Sequence, residues 1–124
     1  MSVRTFRFID FQVYQEAKEF HKLIVVLTKK FPGEYRYLAD QLKRASLSVI
    51  LNIAEGSAKR SDKDFNRYLE NSLGSIGEAI ACLDVALSIG LVTQSNFSNL
   101  VEKGERIKKQ LGGFSRKLIS SKKK

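Results

Sequence analysis

Apolar residues recur at alternating steps of three and four in four successive segments of this chain. On an α-helix this spacing places the apolar side chains on one face, which then packs against another element. No segment shows the strict alternation of a half-buried strand, and a single proline interrupts the chain. The spacing therefore predicts four amphipathic helices, whose apolar stripes begin at Val13, Tyr35, Phe65 and Phe97.

Short breaks separate the first three predicted helices. The first is expected to end at Phe31-Pro32-Gly33, because proline disfavours helix in the residue before it. The second begins near Glu34 and ends around Gly56. Ser61, with Asp64 three residues later, is predicted to cap the third helix through its hydroxyl.

Further residues predict how the third helix ends and how the fourth helix begins. Gly90 is predicted to close the third helix in a left-handed conformation, and Thr93 or Ser95 to cap the fourth. Gly112-Gly113 predicts a frayed or bent point in that fourth helix. Links this short predict an all-α fold, an antiparallel up-down-up-down four-helix bundle. We expect one domain over residues 1–121, followed by a basic tail at 122–124.

The charge of the chain is concentrated near one terminus. The net charge is +9, and residues 103–124 hold nine basic side chains against one acid, Glu105. A localised positive field attracts polyanions, so the charge implies nucleic acid or an anionic lipid surface as the partner. For the terminal lysines 122–124 alone, a solubilising tail is the simpler interpretation.

Cysteine content and hydropathy predict a soluble, cytoplasmic protein. Cys82 is the one cysteine, so no internal disulfide is needed. The first ten residues alternate Arg and Phe and lack the apolar core of a secretion signal. The longest apolar run, Leu23 to Leu27, is far shorter than the roughly 20 residues that span a bilayer. We expect no membrane partner.

The sequence gives little support for catalysis. His21 is the one histidine and is predicted to lie at the boundary of the core, without companions for a metal site. Cys82, between Ala81 and Leu83, is predicted to be an inert core thiol. Glu55 and Glu78 are a possible carboxylate pair, but no further acid, base or metal set accompanies them. We therefore predict a protein that is not an enzyme and holds no cofactor or metal.

One polar stripe stands out in the second helix. Arg44, Ser48, Asn52 and Glu55 follow one another at spacings of four, four and three, which places them on one face. Together with Glu78 they form a candidate structural or interface cluster, in which Glu55 accepts from Arg60 or from a neighbouring subunit. A ligand site is the alternative.

A second apolar face predicts self-association. Three residues of the second helix and three of the third lie beside the main stripes: Leu47, Ile50, Leu51, Leu73, Ile80 and Leu87. A monomeric bundle needs only about three apolar positions in seven, so this surplus predicts a partner surface. A wide core stripe is the alternative.

Ten basic residues are candidates for contacting nucleic acid. Four begin the third helix and six lie in the fourth: Lys59, Arg60, Lys63, Arg67, Lys103, Arg106, Lys108, Lys109, Arg116 and Lys117. Tyr68 and Tyr37 can stack on unpaired bases or pack at the edge of the bundle. Since no base-reading motif is apparent, we expect binding through phosphates and shape.

The run from Gln41 to Ser57, with its Asn-Ile-Ala-Glu-Gly core, carries a specific resemblance. So do Phe31-Pro32-Gly33-Glu34 and a later group of positions, namely Phe65, Tyr68-Leu69, Ser72, Gly74-Ser75 and Glu78. Together they resemble the four-helix bundle proteins encoded in intervening sequences of bacterial 23S rRNA genes. The similarity extends from about Phe11 to Leu118. Asn71 to Ser75 departs from the family pattern, which more usually has alanine or arginine near its middle.

The resemblance implies an antiparallel four-helix bundle that assembles into a ring, a homopentamer. A related branch, the accessory protein of diversity-generating retroelements, implies a basic barrel that binds nucleic acid and a reverse transcriptase. No enzymatic activity is established for the family.

Two functions follow as hypotheses. The first is an oligomeric protein that binds RNA, either rRNA or the structured RNA that encodes it. The second is a protein-interaction scaffold, such as an accessory subunit that holds a nucleic-acid enzyme. A third, binding of a membrane surface through the terminal lysines, has less support because that segment has few aromatic anchors.

Overall fold

The computed structural model describes the backbone of residues 4–122 and the side chains of residues 6–120. Four helices account for most of this range: α1 (Gln12–Thr28), α2 (Arg36–Ser57), α3 (Asp62–Ser88) and α4 (Gln94–Lys122). Short 3-10 segments precede α1 (Arg4–Asp10) and α2 (Gly33–Tyr35), and the described residues contain no strand. The prediction of an all-α, four-helix fold is confirmed. The side chains of the predicted basic tail, 122–124, lie outside the described residues.

The capping residues behave as their chemistry predicts. The Ser61 hydroxyl accepts a hydrogen bond from the Asp64 backbone N–H at 3.1 Å. Gly90 has φ +82°, a left-handed conformation that favours glycine, and it lies just after the end of α3. Thr93, rather than Ser95, caps α4, since its hydroxyl accepts from the Asn96 backbone N–H at 3.1 Å.

The helix does not fray at the predicted weak point, Gly112-Gly113, because α4 continues through it to Lys122. Leu111 is fully buried before the pair, and Phe114 packs against Phe11 and Phe65 after it, with ring centroids 5.2 and 5.1 Å apart. Packing on both sides of the glycines thus holds the helix together where intrinsic propensity disfavours it.

Neighbouring helices run in opposite directions. From Gln41 to Val49, the residues of α2 meet α3 at Glu78 and then at Ser72, so contacts move backwards along α3. The same reversal holds for the other neighbouring helices. For α1 and α2, including the residues that lead into α1, the pairs are His21–Ser46 and Arg7–Ser57. For α3 and α4 they are Ile80–Gly104 and Asn66–Ser115, and for α1 and α4 they are Phe11–Phe114 and Leu27–Leu100. These contacts support the up-down-up-down connectivity.

One hydrophobic core runs along the interior and is built from the predicted stripes. Its largest fully buried side chains come from all four helices: Phe20, Ile24, Leu42, Ile53, Phe65, Leu69, Leu83, Ile107 and Leu111. Each helix thus buries the face that its sequence spacing marks. None of the helices in residues 4–122 has the length and apolarity needed to cross a membrane.

The six residues of the second apolar face divide between two environments. Ile50 is buried, Leu73 and Ile80 pack against the core from its edge, and Leu87 is half-buried, as a wide core stripe predicts. Leu47 and Leu51 on α2 remain 41% and 50% exposed. Of these six residues, the two that remain exposed therefore both lie on α2.

The close approach of α2 and α3 at Gly56 generates a stability prediction. A Cβ at this position would lie 2.7 Å from Tyr68 Cβ and 2.9 Å from Phe65 Cδ1, and Tyr68 Cβ cannot rotate away. We expect Gly56→Ala to lower the free energy of unfolding by about 1–3 kcal/mol, measured by urea denaturation. Gly74→Ala is the matched control, because no atom lies within 4 Å of its added Cβ. It should raise stability by ~1 kcal/mol through helix propensity. Equal effects of the two substitutions would contradict this account.

Candidate nucleic-acid interface

The turn between α2 and α3 and the first turns of α3 carry exposed cations. Lys59, Arg60, Lys63 and Arg67 are all exposed. Lys59 Nζ lies 5.0 Å from the centroid of the Tyr68 ring, which is itself half-buried. Tyr68 therefore belongs to the bundle edge and is covered by a lysine, so it is not an open surface for stacking.

The cations of α4 divide between two faces of that helix. Lys108, Lys109 and Arg116 line an open groove toward α3, which Leu73 also lines and whose volume is about 430 Å³. Lys103 and Arg106 line a different groove, toward α1. Lys117 borders a third, apolar depression of about 410 Å³ next to Phe11. The basic segment of the sequence is thus not one continuous surface.

The groove toward α3 joins the cations of the two helices. The Ser115 hydroxyl is hydrogen-bonded to the Asn66 side chain, which sets Arg116 and Arg67 at adjoining positions of two oppositely directed helices. At 100° per residue, both side chains then leave the α3–α4 seam on the same side. We use the name α3–α4 basic face for the five cations that share this side: Lys63, Arg67, Lys108, Lys109 and Arg116. Glu70 and Glu105 are acids on the same face.

The groove toward α1 is built around a carboxylate that the sequence did not single out. Glu16 accepts hydrogen bonds from Arg106 Nε at 3.1 Å, Gln110 Nε2 at 2.7 Å and Gln12 Nε2 at 2.9 Å. Glu19 and Glu102 line the same groove. Carboxylates thus balance Lys103 and Arg106, and these two candidates are separated from the α3–α4 basic face. Glu16 and Arg106 lie 90 residues apart in the chain, so no local pattern identifies them as partners.

The polar cluster of α2 satisfies itself in part. The Asn52 amide donates to the Ser48 backbone carbonyl at 2.9 Å and to the Ser48 hydroxyl at 3.1 Å, and the Ser75 hydroxyl donates to Ser48 at 2.8 Å. Among the described residues, the side chains of Arg44 and Glu55 make no hydrogen bond or ion pair. The expected contact between Glu55 and Arg60 is therefore not formed within one chain.

Glu55 and Glu78 are not brought together as a carboxylate pair. Glu78 accepts a hydrogen bond from Gln41, fourteen residues before Glu55 on the same helix. Fourteen residues of helix cover roughly 21 Å. The antiparallel order of α2 and α3 sends Glu78 to the other end of α2, which corrects the interpretation from sequence.

The two nucleophile or base candidates are engaged in packing. His21 Nδ1 and the Ser46 hydroxyl are 2.6 Å apart at the edge of the core, and burial, with the charge of Lys43, lowers the pKa of His21. Burial and the charge of Glu78 raise the pKa of the Cys82 thiol, which disfavours the nucleophilic thiolate. Within residues 4–122 no three His, Cys, Asp or Glu side chains are grouped as metal ligands. The absence of enzymatic activity stays a prediction.

Glu16 generates a pH prediction. Burial opposes ionisation of this carboxyl, but the hydrogen bonds from Arg106, Gln110 and Gln12 outweigh it and lower the pKa of Glu16 below its ordinary value of 4.5. A lowered pKa in the folded state stabilises the fold above pH 4.5, and this stabilisation is lost as pH falls through the folded pKa. Glu16→Gln should therefore lower Tm at neutral pH by an amount that shrinks in acid.

Thermal melts of the two proteins across this pH range measure the effect. Glu19→Gln is the control, because Glu19 is 68% exposed and its ion pair with Lys22 on the same helix contributes little. A Tm difference between wild type and Glu16→Gln that stays constant into acid would count against the proposed role of Glu16.

Comparisons with known proteins agree with this architecture. The model of the family described as 23S rRNA-intervening sequence protein matches residues 9–113. A solved structure from Bacteroides thetaiotaomicron, a protein of unknown function from the S23 ribosomal protein family, is similar at 25% identity with a TM-score of 0.74. The similarity covers 80% of this chain and 94% of that one. No curated protein matches the chain. Because the family model covers most of the sequence, the chain belongs to the 23S rRNA-intervening sequence protein family.

Proposed function

We propose that this protein binds structured RNA through the α3–α4 basic face and does not transform it. The observation that supports the proposal most strongly is the convergence of five exposed cations on one side of two helices. Among the described residues, Arg67 is the one member with an acid within ion-pair distance, and its 3.9 Å contact with Asp64 is exposed and weak. The family name points to an rRNA context, so rRNA or the RNA that encodes the protein is the favoured ligand.

The binding mode follows from the chemistry of this face. Lysine and arginine side chains attract phosphates, and binding releases counterions, so affinity falls steeply with salt. The nearest aromatic ring, Tyr68, is half-buried beneath Lys59 and offers little surface to a base. Recognition on this face would therefore depend on the path of the phosphate backbone. We expect the protein to act in the cytoplasm and to need no cofactor.

Charge reversal on α4 tests the proposal. Lys108→Glu combined with Lys109→Glu should weaken binding of a hairpin RNA by about ten-fold or more at low salt and reduce the salt slope by about 2. Fluorescence anisotropy at several salt concentrations measures both quantities. Lys18→Glu combined with Lys22→Glu is the control, since it changes the net charge equally on α1. Equal losses in the two double variants would indicate a nonspecific effect of net charge and contradict the proposal.

We further propose that the exposed face of α2 assembles copies of the chain into a ring. Leu47 and Leu51 lie between Arg44 and Glu55 on this face, and neither charged side chain has a partner among the described residues of its own chain. A cation and a carboxylate separated by leucines can pair with their opposites on another copy. A pentamer is the assembly that the resemblance favours.

Light scattering tests this assembly. The wild-type mass should be five times the 14.0 kDa of one chain, and Leu47→Glu combined with Leu51→Glu should return it to one chain with unchanged helicity. Val26→Glu is the control, because Val26 is 57% exposed on α1 and its replacement should leave the mass unchanged. A wild-type mass of one chain would instead favour the protein-scaffold function, in which the same leucines contact a partner enzyme.

A further inference from the structure

Tyr37, in the first turn of α2, is the most exposed aromatic side chain that the structure describes. It is 66% exposed, and its ring lies 6.4 Å from the ring of Tyr35 at an angle of 47°. The two tyrosines named in the sequence thus differ: Tyr68 is covered, whereas Tyr37 offers a ring face to solvent. A tyrosine ring left in water is a surface on which an unpaired base can stack.

Exposed cations surround this tyrosine in the chain. Lys29 and Lys30 are exposed in the turn that joins α1 to α2, and Arg36 is exposed as the first residue of α2. The acids nearby are Glu34 and Asp40, and Asp40 lies 3.7 Å from Lys43. The α3–α4 turn, which closes the same end of the bundle, contains no charged residue from 88 to 99. The charges of the α1–α2 turn and the first turn of α2 are therefore net positive, and the α3–α4 turn adds no charge to them.

A separate depression between α1 and α4, at this end of the bundle, also carries groups that suit a base. Lys30, Asn96 and Asn99 line this depression, whose volume is about 240 Å³. Its apolar lining includes Leu23 and Val26. This volume is smaller than the roughly 300–1,000 Å³ of common ligand pockets. Asparagine amides both donate and accept hydrogen bonds, as base edges require.

This end lies far from the α3–α4 basic face where α3 begins. Tyr37 is in the first turn of α2, whereas Lys63, a member of that face, lies in the first turn of α3, six residues after the last residue of α2. A helix of 22 residues covers about 33 Å. Tyr37 and the α3 cations of the basic face therefore cannot contact the same few nucleotides.

We propose that the α1–α2 turn end of the bundle binds unpaired nucleotides of RNA, with a base stacked on Tyr37 and the flanking phosphates held by Lys29, Lys30 and Arg36. The inference rests on the proposed function, which it deepens by adding a single-stranded segment to the structured RNA on the α3–α4 basic face. Stacking with flanking cations is the mode by which proteins bind single strands without reading their sequence.

Two labelled RNAs separate this inference from the proposed function: a short oligouridine, which has no duplex, and a hairpin with blunt ends and a compact loop whose bases stack on one another, which leaves no base free to stack on Tyr37. By anisotropy, Tyr37→Ala should weaken binding of oligouridine about ten-fold and leave binding of the hairpin unchanged. The double variant at Lys108 and Lys109 should show the reverse pattern. The exposure of Tyr37 makes a folding defect in Tyr37→Ala unexpected, and circular dichroism checks this.

Tyr37→Phe provides a spectroscopic readout that a merely structural role would not give. The chain has four tyrosines and no tryptophan, so tyrosine emission can be followed directly. Oligouridine should quench this emission in the wild type. Tyr37→Phe should keep the affinity but lose much of the quenching, because phenylalanine preserves the stacking ring and removes the reporter.

Two results would overturn the inference: no binding of oligouridine by the wild type, or equal binding by the wild type and Tyr37→Ala. Either result leaves the α3–α4 basic face to be judged on the hairpin alone. Failure of the wild type to bind the hairpin, with Tyr37-dependent binding of oligouridine intact, would instead overturn the proposed function and retain the stacking site.

Discussion

The close packing of α2 against α3 is the constraint on which the rest of the structure depends. Small side chains line this seam, and the fully buried Ser72 hydroxyl donates to the Val49 carbonyl at 2.9 Å. Gly56 has no room for a Cβ beside Tyr68. These contacts fix the rotation of α3 about its own axis, with Phe65 and Leu69 inward. Lys63 and Arg67 are thereby directed outward, next to the groove that α4 completes.

The fold could be predicted from local patterns because each helix buries the stripe that its own spacing marks. Ser61 caps a helix through a residue three positions away, and Gly90 ends a helix through its own backbone conformation, so both roles could be predicted from the sequence. The division of the α4 cations was not visible, because it depends on which side of α4 meets α1 and which meets α3. The leading 3-10 segment was missed for the same reason. Its Arg7 donates to the Ser57 carbonyl, 50 residues away, at 3.1 Å.

The net charge of the terminal segment therefore overstates the size of the surface that is proposed to bind phosphates. Residues 103–124 carry nine cations, yet Glu16 engages Arg106, and Lys117 lies beside an apolar depression near Phe11. Field strength at a surface depends on the charges that remain unpaired and point in one direction. By this criterion α4 contributes three cations to the α3–α4 basic face, and α3 adds two more, Lys63 and Arg67, from a part of the sequence with almost no net charge.

An assembly of copies would change what each weak site can achieve. Exposed cations on one chain make modest contacts with phosphate, and a single tyrosine holds one base. Several copies that engage one RNA bind it with an effective concentration set by the spacing of their sites, and avidity then exceeds the affinity of each site. The exposed leucines lie on α2, whereas the α3–α4 basic face lies on two other helices. Tyr37 is also on α2, but in its first turn and apart from these leucines. The proposed assembly through α2 and the proposed RNA binding elsewhere can therefore coexist on one chain.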